Sequence, residues 1–142
     1  MSENYAEFKD VARIQREFYR AFERLDLEAM RAVWLEDDRI KCIHPGGEML
    51  AGRASVHASW EAIFTSTTWI RFEIVDLSIE VFGELAWATN LERIHSGPGE
   101  GPQGGETLVA QAVATNLYAR RDGEWRMILH HASPLARRFA QD

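Results

Sequence analysis

Cysteine is almost absent from the 142 residues: Cys42 stands alone, so no disulfide can form within the chain. Its neighbours Ile40 and Ile43 place it in an apolar strand. A reactive thiol needs an electropositive, partly exposed setting, so Cys42 is expected to act as a small buried hydrophobe. Proline and glycine are sparse too, at 4 and 10 residues, which excludes a collagen-like or low-complexity chain. Basic residues are in deficit, 16 Lys and Arg against 22 Asp and Glu, for a formal charge of −6. That balance argues against nucleic acid or an anionic membrane surface as partner. No window approaches the run of roughly 18 apolar residues that a membrane span needs. The start, Met1-Ser2-Glu3-Asn4-Tyr5-Ala6-Glu7, also lacks a basic segment followed by an apolar one, so a cytoplasmic location is expected.

What is present describes one globular unit. The length is ordinary for a single domain, 1–142, and a chain of this size buries roughly two-thirds of its surface without needing a structural metal. Five Trp, three Tyr and seven Phe exceed what a core of this size needs merely to be apolar. Aromatic side chains also line ligand pockets, so they must be divided between the two roles.

Apolar spacing gives the elements. Phe8, Val11, Gln15, Phe18, Phe22 and Leu25 recur every three or four residues, predicting a long amphipathic helix capped by Asn4, with Glu7 in the capping-box position. Asp26 caps a second helix through Met30, Val33 and Trp34. A short strand, 39–43, leads into the turn His44-Pro45-Gly46-Gly47, and a third helix carries Val56, Trp60, Ile63 and Phe64. The period then changes to two. Ile70 to Phe82, Leu85 to Ile94, Thr107 to Arg120 and Glu124 to Ala132 read as strands, with Asp122-Gly123 the strongest hairpin signal. Short connections predict antiparallel pairing. The fold class is therefore α+β, with three N-terminal helices packed on the concave face of a curved antiparallel sheet.

Gly99, Gly101 and Gly104 spell G-x-G-x-x-G, but Thr107-Leu108-Val109 reads as strand where a dinucleotide site requires a helix. The segment Ser96 to Glu106 is expected to be a hairpin loop. No Ser-His-Asp grouping, zinc spacing or Walker motif occurs.

The runs Phe18-Tyr19-Arg20-Ala21-Phe22, Asp26-Leu27-Glu28-Ala29-Met30 and Cys42-Ile43-His44-Pro45-Gly46-Gly47 resemble the SnoaL-like branch of the nuclear transport factor 2-like superfamily. Ser59-Trp60-Glu61-Ala62-Ile63-Phe64 and the ending Trp125 to Pro134 extend the resemblance over residues 8 to 134. It implies a cone-shaped fold, which hosts isomerases, dehydratases, hydrolases, cyclases and non-catalytic members. Tyr118-Ala119-Arg120-Arg121-Asp122-Gly123-Glu124-Trp125 and His131-Ala132-Ser133 are also similar to the association domain of calcium/calmodulin-dependent protein kinase type II. That similarity implies self-association. It also implies that the faces bearing Glu92 and Asn116 line the cone interior. The arginines of that relative's pocket are unmatched, Glu92, Asn116 and Ala132 standing in their places.

Strand alternation then sorts the candidates. Ala88, Asn90 and Glu92 share one face, as do Ala110, Ala112, Ala114, Asn116 and Tyr118 on the next strand, so small alanines beside polar side chains predict a cavity. Burial would raise the Glu92 pKa and suit it to general-base work; its structural alternative is a salt bridge to an arginine. Asn90 and Asn116 could polarise a carbonyl, or simply satisfy one another. His130 and His131 point to opposite faces and cannot close on one ion; His130 shares the inner face and His44 lies near the mouth. His57 and His95 read as surface and loop-edge residues. Nothing in the spacing singles out a site of two histidines and a carboxylate, and neither metal nor cofactor is expected. Phe8, Phe18 and Phe22 are assigned to the core, and Trp34, Trp60 and Phe64 to a pocket.

The sequence thus supports a small-molecule-binding protein whose ligand has an apolar or aromatic body. It would be a cofactor-independent lyase or isomerase in which Glu92 or His130 moves a proton. The alternative is a non-catalytic ligand-binding or association module, a homo-oligomer and in the simplest case a dimer through Thr115, Leu117 and Leu129 on the convex face.

Overall fold

A computed structural model describes residues 2–102 and 107–136. Three helices come first: α1 (Ser2–Arg24), α2 (Leu27–Val33) and, after the short strands β1 (Lys41–Ile43) and β2 (Leu50–Ala51), α3 (Arg53–Ser66). Four long strands follow, β3 (Ile70–Phe82), β4 (Leu85–Ser96), β5 (Leu108–Arg121) and β6 (Glu124–Pro134). With β1 and β2 they form one curved six-stranded sheet in the order β2-β1-β6-β5-β4-β3. Among the described residues no helix is long and apolar enough to cross a membrane.

The long strands pair antiparallel, with two-residue connections at 83–84 and 122–123 and a longer one, 97–107, between β4 and β5. Asp122 and Gly123 both adopt positive φ, 54° and 80°, the backbone that a two-residue hairpin turn with right-handed strand twist demands. One expectation is corrected: the sheet is mixed, because β1 runs parallel to β6, with Cys42 opposite His130. The chain reaches β1 from α2 rather than from a hairpin, and a crossover is what allows parallel pairing.

Helix α1 begins at Ser2, ahead of the expected cap at Asn4. Its buried stripe starts at Val11, and Phe8 is 42% exposed rather than core. Glu7 occupies the sheet side instead, accepting from Arg120 Nη1 at 2.7 Å and Trp125 Nε1 at 3.0 Å. Asp26 caps α2 as predicted, its carboxylate accepting the Ala29 N–H at 3.0 Å. The glycine-rich segment after β4 leads into strand β5, not into a helix; Gly104 lies outside the described residues.

The main core lies between the helices and the concave face. Phe18 sits at its centre, with ring centroids 4.9 Å from Tyr19, 5.6 Å from Trp60 and 4.8 Å from His130. Deleting a fully buried aromatic ring leaves a cavity that close-packed neighbours cannot fill. Phe18→Ala is therefore expected to cost about 3–5 kcal/mol in urea unfolding; a loss below about 1 kcal/mol would show that α1 is not held by this cluster.

Candidate functional site

Five buried polar side chains lie beneath the helices: Gln15, Asn90, Glu92, Asn116 and His130, each at most 3% exposed. Asn90 and Glu92 alternate with outward residues on β4, while Asn116 and His130 are cross-strand partners on β5 and β6. Gln15 descends from α1, one turn ahead of Tyr19.

Their hydrogen bonds run in one direction. The Asn116 amide oxygen cannot donate, so His130 Nδ1 donates to it, at 2.6 Å. Asn116 Nδ2 donates to Gln15 Oε1 at 3.1 Å, and Gln15 Nε2 to Asn90 Oδ1 at 2.8 Å. Asn90 Nδ2 donates to the Tyr19 hydroxyl at 3.2 Å, which in turn donates to Glu92 Oε2 at 2.5 Å. Tyr118 adds a further hydroxyl donor to Gln15 Oε1. Every step thus points its donor toward Glu92, and aligned bonds in a dry interior reinforce one another. The same order fixes His130 as the Nδ1–H tautomer, leaving the lone pair on Nε2, to which no described side chain donates.

Burial decides the charges. It lifts the Glu92 carboxyl to about 7, against the lowering influence of the Tyr19 hydrogen bond, and no arginine among the described residues neutralises it. It depresses His130 to about 3, helped by His44 and His131, so that imidazole is neutral at physiological pH. Burial, reinforced by the nearby Glu92 charge, raises the Tyr19 phenol well above its ordinary value. Cys42 is pushed up to about 12 by burial, which leaves no thiolate and agrees with an inert thiol.

The remaining candidates divide. Trp60 is fully buried against Phe22, Phe64, His44 and His130, with ring centroids 5.0, 5.8, 4.8 and 5.9 Å away. Its indole Nε1–H has no acceptor among the described residues. His44 stands beside it: Ser59 gives its only proton to the Val56 carbonyl at 2.6 Å, so His44 Nε2 must donate to Ser59 Oγ, at 2.9 Å. Trp34 belongs to the same buried core and bridges to Met127 at the end of α2. Ala112, Ala114 and Ala132 form a buried cluster of their own, separate from the aromatic core. No group of three metal-ligating side chains occurs among the described residues. Beside Tyr19, between α1 and β3, a groove of about 370 Å³ opens to solvent.

Two participants escaped the sequence reading, Gln15 and Tyr19. Gln15 carried the signal: a polar amide on an otherwise apolar helical stripe must find buried partners or unfold the stripe.

The curved sheet with helices on one face is that of a nuclear transport factor 2-like domain. A family model for the SnoaL-like domain matches residues 11–137, and the chain belongs to that family. A candidate dehydratase of the nuclear transport factor 2-like family from Streptomyces avermitilis superposes with a TM-score of 0.83 at 33% identity, covering 94% of this chain and 99% of that one. A candidate calcium/calmodulin-dependent protein kinase type II association domain from Thiobacillus denitrificans gives 0.76 at 35% identity, over 87% and 93% of the two chains. The F-box protein SKIP8 of Arabidopsis thaliana is 28% identical over 131 residues, 92% of this chain and 52% of that protein. The chain thus spans about half the length of that curated relative.

The Glu92 carboxyl titrates near 7 in the folded chain and near 4.5 when free, so the folded state holds the extra proton between those values. Its contribution to stability is full below pH 4.5 and is lost as pH rises through 7, on the order of 3 kcal/mol. The buried histidines gain stability over the same range but contribute alike to both chains, so unfolding measured at pH 5 and pH 8 should show the native chain losing stability relative to Glu92→Gln; the same pH dependence in both chains would place Glu92 in contact with water.

Proposed function

We propose that this protein binds small molecules in the interior of its cone-shaped fold and works as a cofactor-independent lyase or isomerase through general acid–base chemistry. The observation that carries this reading is Glu92, 2% exposed, bonded among the described side chains to Tyr19 alone and raised to about 7. A carboxylate poised there accepts a proton readily at neutral pH and gives it back readily, as a catalyst that must turn over requires. Glu92 takes the proton from a carbon next to a carbonyl. It then returns it to another carbon, giving isomerisation, or to a departing β-hydroxyl, which leaves as water.

The oxygen that gains negative charge needs donors. Asn90 and Asn116 each keep a second amide N–H beyond the one used in the row, whereas the single Tyr19 hydroxyl proton is given to Glu92. His130, with its lone pair on Nε2, is the second proton acceptor, and His44 lies beside it with ring centroids 6.3 Å apart. Trp60 and Phe64 offer an apolar wall for an aromatic or alicyclic body, with Trp34 in the same buried core. The likeness at 33% identity to a candidate dehydratase supports elimination of water. A single domain, a cytoplasmic location and the absence of any cofactor belong to the same proposal.

The experiment is proton exchange. In D2O, a panel of β-hydroxy ketones and β,γ-unsaturated ketones is followed by NMR for deuterium incorporation beside the carbonyl. The native chain should promote exchange with an apparent pKa near 7, and Glu92→Gln should lower the rate by about 100-fold or more. Exchange unaffected by Glu92→Gln would remove the base and the reading with it.

A second reading, association through the sheet, rests on the outer face. Trp87, Val113 and Leu85 are 36%, 46% and 51% exposed there, and the likeness at 35% identity is to a candidate association domain. Apolar surface of that kind on a sheet face suits an isologous contact in which Leu117 and Leu129 meet their own copies. Sedimentation should give a dimer for the native chain and a monomer for Val113→Lys; a native monomer at about 100 μM would end this reading.

A further inference from the structure

The groove between α1 and β3 combines an apolar wall with two cations that no described residue neutralises. Phe72, Ile74 and Leu77 form the strand side, and Arg16, Tyr19 and Arg20 the helix side. Leu77 reaches the groove because β3 is irregular there: the register slips between Val75 and Ser78, so two residues, Asp76 and Leu77, lie opposite Asn90. A bulge re-aims a side chain that regular alternation would point elsewhere, and Asp76 takes the positive φ, 57°, that the kink requires. The bulge therefore sits beside the polar row, not at a random point on the edge strand.

The cations are unusual in their surroundings. Arg16 and Arg20 are one helical turn apart, both exposed, and neither has a carboxylate within ion-pair distance among the described residues, whereas Arg13 on the same helix has Asp10 and Glu17. The chain as a whole carries −6, so partners of opposite sign are abundant. Glu23, at the far end of the groove, is already engaged: its carboxylate accepts the Phe72 N–H at 2.9 Å. Two free guanidinium forks over an apolar slot fit a carboxylate group on an apolar body, since a planar fork matches a carboxylate in geometry as well as charge. The inner end of the slot is Tyr19, whose hydroxyl is bonded to Glu92.

We infer that this groove binds a small carboxylic acid, its carboxylate on Arg16 and Arg20 and its apolar body on Phe72, Ile74 and Leu77, with the remote end directed at Tyr19. The inference rests on the acid–base reading only in naming Tyr19 and Glu92 as the inner end. It gives the substrate class for that chemistry: an organic acid whose reacting carbon lies several bonds from its carboxylate.

Calorimetric titration of the whole chain with 3-phenylpropionate and with the neutral 3-phenylpropionamide tests it. The acid should bind about tenfold more tightly than the amide, and Arg16→Gln/Arg20→Gln should abolish that preference while leaving the amide unchanged. Backbone amide shifts on titration should centre on Phe72, Ile74 and Leu77. Equal affinity for acid and amide, no binding of the acid at about 10 mM, a preference that survives the double substitution, or shifts centred elsewhere overturns the inference. Glu92→Gln separates it from the proposed reaction. If that variant stops proton exchange while the arginines prove irrelevant, the groove assignment alone falls; if the acid preference holds while Glu92→Gln leaves exchange intact, the acid–base reading alone falls.

Discussion

One side chain on the first helix holds the interior in a single arrangement. Gln15 accepts from Asn116 and Tyr118 and donates to Asn90, so it joins β4 and β5 to α1 through groups that would otherwise be buried without partners. An orphaned buried amide costs roughly 1–3 kcal/mol, so the helix cannot rotate or slide without stranding several at once. Apolar packing around Phe18 draws α1 onto the sheet, but apolar packing tolerates more than one register. The amide determines which register is occupied, and with it the position of Tyr19 against Glu92.

From that constraint the chemistry of the interior follows. Amides and hydroxyls carry no net charge at any ordinary pH, so the polar row leaves Glu92 as its acidic member and His130 as its basic one, both shifted by burial toward their neutral forms. The two ends are different in kind. Glu92 gains and loses its proton near neutrality, whereas His130 offers a lone pair whose place is fixed by Asn116. An interior of this sort can exchange protons with a bound molecule without holding a permanent charge out of water.

Much of the fold was legible because its signals are local. The change from a period near 3.6 to one of two located the boundary between helices and strands, and Asp122-Gly123 announced its hairpin with two residues that accept positive φ. The parallel pairing of β1 with β6 was not legible, since a three-residue strand has too little pattern to state its direction and its partner lies far along the chain. For the candidate site, alternation put Asn90, Glu92, Asn116 and His130 on one face correctly. What alternation cannot supply is the partner from another layer. The expected alternatives for Glu92 were open space or an arginine, and the residue that meets it is Tyr19, from a helix 73 positions earlier. Phe8 failed for a related reason: helical spacing describes a stripe without saying where the sheet beneath it ends.

The small buried residues of the sheet have an evolutionary meaning. Ala88, Ala112, Ala114 and Ala132 alternate with or neighbour the polar positions, and all four are at most 1% exposed. Their backbone ladders persist whatever the side chain is, because strand pairing uses only main-chain groups. Each alanine is therefore a position where descent can install a new acid, amide or imidazole along the polar row, Ala112 directly opposite Glu92, with volume and a hydrogen-bond partner the restrictions. A lineage built on this sheet can change its reaction by filling such a position while inheriting the scaffold intact, so divergence of activity among its members need leave little trace in the fold.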